Sequence, residues 1–97
     1  MLTFNREYKD GKYVYLLIPV KNTNYVKLID EIDKKMVKEY KTEDDEAALY
    51  IYQSLIDIQE RFGYDFLLNF RVKDQLPGYL AANVEVIVEE TPVDYVE

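Results

Sequence analysis

The sequence predicts an α+β fold in which an antiparallel sheet of about five or six strands packs against one long helix, in the order ββββαββ. Three observations carry that expectation. The first twenty residues alternate polar and apolar side chains on either side of an Asp-Gly turn. Residues 43–62 bear an apolar face at helical spacing between a capping signal and a glycine, and two further alternating segments follow.

Leu2, Phe4, Arg6 and Tyr8 alternate with Thr3, Asn5, Glu7 and Lys9. Lys9-Asp10-Gly11-Lys12 then supplies a turn, and residues 13–18 resume in β-branched and aromatic side chains, which specifies a β-hairpin. Pro19 has no N–H to donate and belongs at a strand end or on an edge. Residues 25–41 admit two readings. Tyr25, Leu28, Ile29, Ile32, Met36 and Tyr40 fit a helical stripe, with Asp30/Lys34 and Glu31/Lys35 as i,i+4 pairs, which gives the alternative order ββααββ. A hairpin of strands 25–30 and 36–41, joined through Glu31-Ile32-Asp33-Lys34-Lys35, fits better. Thr42-Glu43-Asp44-Asp45 opens a new helix, and no Gly or Pro closes an earlier one.

Residues 43–62 read as the long helix. Thr42 caps it, Gly63 stands just past its end, and Ala48, Ile51, Tyr52, Leu55, Ile58 and Phe62 form its apolar face. Residues 64–72 alternate Phe66, Leu68, Phe70 and Val72 against Asp65, Leu67, Asn69 and Arg71, and read as a strand. After a loop through Leu76-Pro77-Gly78, residues 80–90 read as the last strand, with Val84, Val86 and Val88 on one side and Glu85, Ile87 and Glu89 on the other. Residues 1–90 thus form a single α+β domain, and residues 91–97 an acidic C-terminal tail.

Six strands at about 4.8 Å spacing span about 25 Å, whereas one helix is about 10 Å across. One helix leaves a sheet face uncovered. The positions opposite the Val/Phe face include Tyr13, Tyr15, Leu17, Leu67 and Ile87, which is more apolar than a solvated face. The sheet then curls into a partial barrel, packs against a second copy, or binds a different partner.

The 97 residues include no Cys, His or Trp. That excludes thiol and imidazole catalysis, disulfides and zinc sites of the usual N/S type. Ser54 is the only serine and lies in mid-helix, and the three glycines are isolated at turns or caps, so no phosphate loop is present. No enzymatic activity and no cofactor are expected. No apolar stretch without a charge, residues 13–20 included, approaches the roughly 20 residues of a membrane helix, and residues 1–7 lack the apolar core of a secretory signal. The expectation is a cytoplasmic protein of a bacterial or phage-infected cell, with no membrane partner.

The net charge of −7 is unevenly spread. Residues 1–41 hold nine basic and six acidic side chains, and residues 42–97 hold three and thirteen. An acidic second half suits a partner with a basic surface. The Glu43-Asp44-Asp45-Glu46 cluster can be read as a metal site or phosphate mimic, but carboxylates in a first helical turn are sufficiently explained by the macrodipole. Outward helix positions run Glu46, Tyr50, Gln53, Asp57 and Glu60, too irregular for the helix alone to mimic DNA. Mimicry would have to assemble Asp57, Glu60, Asp65, Asp74, Glu85, Glu89 and Glu90 from several elements. Lys34, Lys35, Lys38 and Lys41 read as a solubilising face, because so acidic a chain is repelled by phosphate.

These observations lead to a non-enzymatic acidic protein that docks on a basic surface of a protein partner. The specific expectation is inhibition of a nucleic-acid-handling protein, as an anti-defence inhibitor or regulator of phage type, without direct nucleic-acid binding. Candidate contacts are Tyr13, Tyr15, Tyr50, Asp57, Glu60, Asp65, Leu67, Asp74, Glu85, Ile87, Glu89 and Glu90. One rival is a homo-oligomeric structural or assembly protein, a homodimer for instance, whose Tyr/Leu face completes its own core. A third reading is a small-molecule carrier with a tyrosine-lined pocket.

Overall fold

The structure, a computed structural model, describes residues 2–89. The expected tail over residues 91–97, and Glu90, lie outside the described residues. One five-stranded antiparallel sheet runs in the order β1 (Arg6–Asp10), β2 (Tyr13–Val20), β3 (Thr23–Asp30), β4 (Lys35–Thr42) and β5 (Val84–Glu89). Each strand pairs with its neighbour in sequence. Between β4 and β5 the chain makes a helical excursion through α1 (Asp45–Phe62), α2 (Tyr64–Asn69), α3 (Val72–Gln75) and α4 (Gly78–Ala81). The fold is therefore α+β, with a sheet and a helix of 18 residues as its two layers.

Local chemistry sets the turns. Gly11 takes a φ of 62° in the two-residue loop between β1 and β2, a conformation that costs glycine nothing. Between β3 and β4, the Asp30 carboxylate accepts the N–H groups of Ile32 and Asp33 at 3.1 and 3.0 Å, and Lys34 takes a φ of 56° to complete the reversal. The Asp33 N–H, and after it the Lys12 ammonium at 3.1 Å, hold the Asp30 carboxyl below its ordinary range. This Asx-type turn makes residues 25–41 a hairpin and not a helix.

The α1 N-cap is Asp44, not Thr42. Its side chain accepts from Ala47 N at 3.1 Å, while Thr42 ends β4 and uses its hydroxyl to accept from Asp44 N and donate to the Asn83 carbonyl at 2.7 Å. α1 lies over β2, β3 and β4. Its buried face, Ala47, Ala48, Ile51, Tyr52, Leu55 and Ile56, packs on Tyr15, Leu17, Val26, Leu28 and Tyr40. Burying a side chain such as Leu17 or Leu55 completely contributes about 1.5–3 kcal/mol. Ile58 is only partly buried and Phe62 is exposed, because the last turn meets α2, where Phe66 packs on Phe62 with ring centroids 4.8 Å apart.

Residues 64–72 are not a strand. Gly63 takes a φ of 86° and redirects the chain into α2. From there Leu67, Val72, Leu76 and Leu80 insert into the core at steps of five, four and four residues, a helical and not an extended spacing. The last strand likewise begins at Val84, since residues 78–81 form α4.

Two β-bulges reset which side chains face α1. In β4 the register slips between Leu28 and Ile29 of its partner strand, so Val37 is the extra residue and Lys38 comes to face the core opposite Leu28. In β5 Tyr40 pairs with Val86 but Glu39 pairs with Val88, so Ile87 is the extra residue. The expected Val84/Val86/Val88 face is therefore broken: Val88 lies on the far face beside Glu39, and Glu89 turns to the helix side opposite Lys38.

Candidate partner-binding surface

One face of the sheet is covered by α1, and the residues on it differ from those expected at the uncovered face. Tyr15, Leu17 and Leu67 are completely buried in the core and offer no surface to a partner. The reason is which side of β2 α1 chooses. Tyr15 and Leu17 point to the helix, and Val14, Leu16 and Ile18 point away. Tyr13 is partly covered by Tyr64, whose ring stacks on it at 3.9 Å between centroids. Tyr64 in turn donates to the Asp10 carbonyl and accepts from Tyr15, closing an aromatic clasp between β1, β2 and α2. Burial, more than any neighbour, pushes the Tyr64 hydroxyl up to about 12.

Glu89 and Lys38, expected on the surface, form an interior polar cluster. The Lys38 ammonium, with no side-chain exposure, donates to the Phe70 carbonyl at 3.0 Å and lies 3.6 Å from the Glu89 carboxylate. The same carboxylate oxygen accepts from the Tyr40 hydroxyl and from Val72 N at 3.1 Å. Burial lowers the Lys38 pKa while Glu89 opposes that change. Burial and then the bond to Glu89 push the Tyr40 hydroxyl far above its ordinary value. The cluster ties the link between α2 and α3 to β4 and β5. Lys38 thus has a structural position that a solubilising face does not describe.

Several of the exposed acidic side chains lie on the helical side. Glu46, Tyr50, Gln53, Asp57 and Glu60 form the outward stripe of α1, as expected from their spacing, and all five are exposed. From Glu46 to Glu60 the stripe is about 21 Å long at helical rise. Tyr8 from β1 donates to Glu60 at 2.9 Å, Tyr79 from α4 donates to Glu46 at 3.3 Å, and Gln53 donates to Asp57 at 3.2 Å, so both ends and the middle are braced. The bond to Glu60 raises the pKa of Tyr8, and the charge of Glu46 raises that of Tyr79. Asp65 continues the exposed acidic surface onto α2. Asp74, also exposed, lies 3.4 Å from Arg71. Glu85 and Ile87 are exposed on β5, away from the stripe.

The carboxylates of residues 43–46 do not converge. Asp44 caps the helix and accepts from Asn83, Asp45 accepts from Asn24, and Glu46 accepts from Tyr79. No group of three or more potential metal ligands occurs among the described residues. No helix among them is long and apolar enough to cross a membrane.

The sequence reading missed the ladder of Phe62, Phe66 and Phe70, the first two exposed and the third partly buried, whose rings follow one another at 4.8 and 5.8 Å. Their i, i+4, i+8 spacing was the available signal. No family model matches the chain, and no curated protein or solved structure matches it. Function is accordingly read from the surface chemistry.

Proposed function

We propose that this protein is a non-enzymatic binding protein that docks on a basic surface of a protein partner through the outward face of α1. The observation that carries the proposal is the exposed stripe of Glu46, Asp57 and Glu60 around Tyr50, on a helix whose only basic residue is Arg61 near its end. Bracing by Tyr8 and Tyr79 supports the reading, since side chains already held in place lose less freedom on association. Tyr50, exposed at the middle of the stripe, offers the large, low-entropy contact area common at interface centres. Nucleic-acid-handling proteins are common owners of basic surfaces, so inhibition of such a protein, in the manner of an anti-defence inhibitor or a regulator, is the specific form of the proposal. The carboxylate spacing on α1 is irregular, which favours recognition of one basic patch over mimicry of a regular phosphate track.

The test is affinity capture from a bacterial lysate on the immobilised full chain, in parallel with the triple variant Glu46→Gln/Asp57→Asn/Glu60→Gln. The expected result is a basic partner retained by the wild type, lost from the variant, and released as salt rises from about 50 to about 500 mM. A partner held equally by both proteins, or held regardless of salt, would overturn the proposal.

A further inference from the structure

Among the described residues no element covers the face of the sheet opposite α1, and its composition is unlike the rest of the surface. Leu16, Ile18, Tyr25, Ile29 and Met36 stand on it, neighbours across β2, β3 and β4, each only partly buried. Around them the charges balance: Lys9, Lys27 and Lys41 are matched by Glu7, Glu39 and Glu85. Lys27 and Glu39 pair at 3.9 Å in the middle of the face, with side-chain exposures of only 27% and 17%, so little water remains to be stripped from them.

We infer that this face is the interface of a symmetric homodimer in which two copies pack sheet against sheet. The occupant follows from charge. Each chain carries −7, and two copies approaching through their helical sides would oppose like-charged stripes. The open sheet face carries balanced charges among partly buried apolar side chains, so two copies meet there without that repulsion. A strongly basic partner gains nothing there and is directed to α1 instead. The area is sufficient: five strands of five to eight residues present about 550 Å² on one face, or about 1,100 Å² for the pair, above the roughly 1,000 Å² of a specific contact. A two-fold axis is the simplest closed arrangement for one self-complementary patch.

Sedimentation equilibrium of the full chain from about 1 to about 100 μM tests the inference. The expected mass is twice the 11.6 kDa of one chain, with a dissociation constant that changes less than about threefold between low and high salt, because the face is neutral. Ile18→Lys is expected to weaken the dimer at least about tenfold, since it places an unpaired charge on the apolar part of each copy's face. Glu60→Lys, on the other side of the molecule, is expected to leave it unchanged. If Ile18→Lys loses the circular dichroism of the wild type, Tyr25→Ser, which trims a partly exposed ring, takes its place with the same expectation. A monomer at the highest concentration, a dimer that survives both face variants, or one weakened by Glu60→Lys would overturn the inference. So would a second protein species occupying this face while the chain itself stays monomeric. None of these outcomes depends on whether a basic partner binds α1.

Discussion

Replacing Glu89 by Gln tests the interior polar cluster, because one carboxylate oxygen serves three donors there: Lys38, Tyr40 and Val72 N. The amide retains an acceptor for the Tyr40 hydroxyl or the Val72 N–H. It no longer balances an ammonium that has no exposure and whose only other partner among the described residues is the Phe70 carbonyl. Removing one member of a buried ion pair costs about 3–5 kcal/mol, a large part of the roughly 5–15 kcal/mol that a domain possesses. At about 4–8 °C per kcal/mol, the melting temperature should fall by at least about 12 °C. Lys38→Met is milder, about 1–3 kcal/mol, because the thioether fills much of the lysine's volume and Glu89, with 10% side-chain exposure, keeps two donors. The double variant Lys38→Met/Glu89→Gln removes both charges and should cost no more than Lys38→Met alone, a coupling of at least about 3 kcal/mol. Urea unfolding followed by far-UV circular dichroism at pH 7 measures all four corners, with a constant m-value as the check that only stability has changed. Single losses that sum to the double loss within about 0.5 kcal/mol would refute the reasoning, since the two charges would then not sense each other.

Alkaline pH should destabilise the fold. Tyr15 and Tyr40 are completely buried and their hydroxyl pKa values are raised above the ordinary 10.0, Tyr15 first by burial and then by its bond to Tyr64. A raised folded pKa gives stability that is whole below pH 10 and lost above it, at about 1.4 kcal/mol per pH unit for each such group. Lys38, lowered by burial, acts in the opposite sense: stability rises with pH over the range just below its ordinary 10.5, and this contribution is exhausted above it. Tyrosinate absorbance at 295 nm should therefore show Tyr15 and Tyr40 ionising only on unfolding; ionisation of all ten tyrosines with the fold intact would contradict this. Asp44→Ala should cost about 1–2 kcal/mol in urea unfolding, because it removes the cap on Ala47 N and the 3.3 Å tether to Asn83, and Asp44→Ser should recover much of that loss.

The β1–β2 and β3–β4 hairpins were legible because their determinants are local. Gly11 adopts its positive φ within a two-residue loop, and Asp30 turns the chain by bonding N–H groups two and three residues on. The long helix was legible for the same reason, although Thr42 reads as its cap where Asp44, two positions further on, serves. Residues 64–72 failed because apolar residues there satisfy two periods at once. Phe66, Leu68, Phe70 and Val72 alternate, while Leu67, Val72, Leu76 and Leu80 recur at nearly helical steps, and only the second set reaches the core.

The candidate surface was legible where it lies on one helix, since α-helical geometry alone places Glu46, Tyr50, Asp57 and Glu60 on a common side. It was not legible on the sheet. Tyr15 and Leu17 on one side of β2, and Leu16 and Ile18 on the other, are about equally apolar, so nothing local says which pair α1 will cover.

Composition by itself determined that the chain has neither thiol nor imidazole chemistry, and local pattern determined its α+β class, two of its turns and the outward face of its helix. Tertiary structure decided the rest. The docking of α1 chose the buried face of β2, and the bulges at Val37 and Ile87 carried Lys38 and Glu89 inward as a pair. A bulge inverts the alternation of every residue beyond it, and its position is set by what the two strands must pack against, which no window of one strand contains.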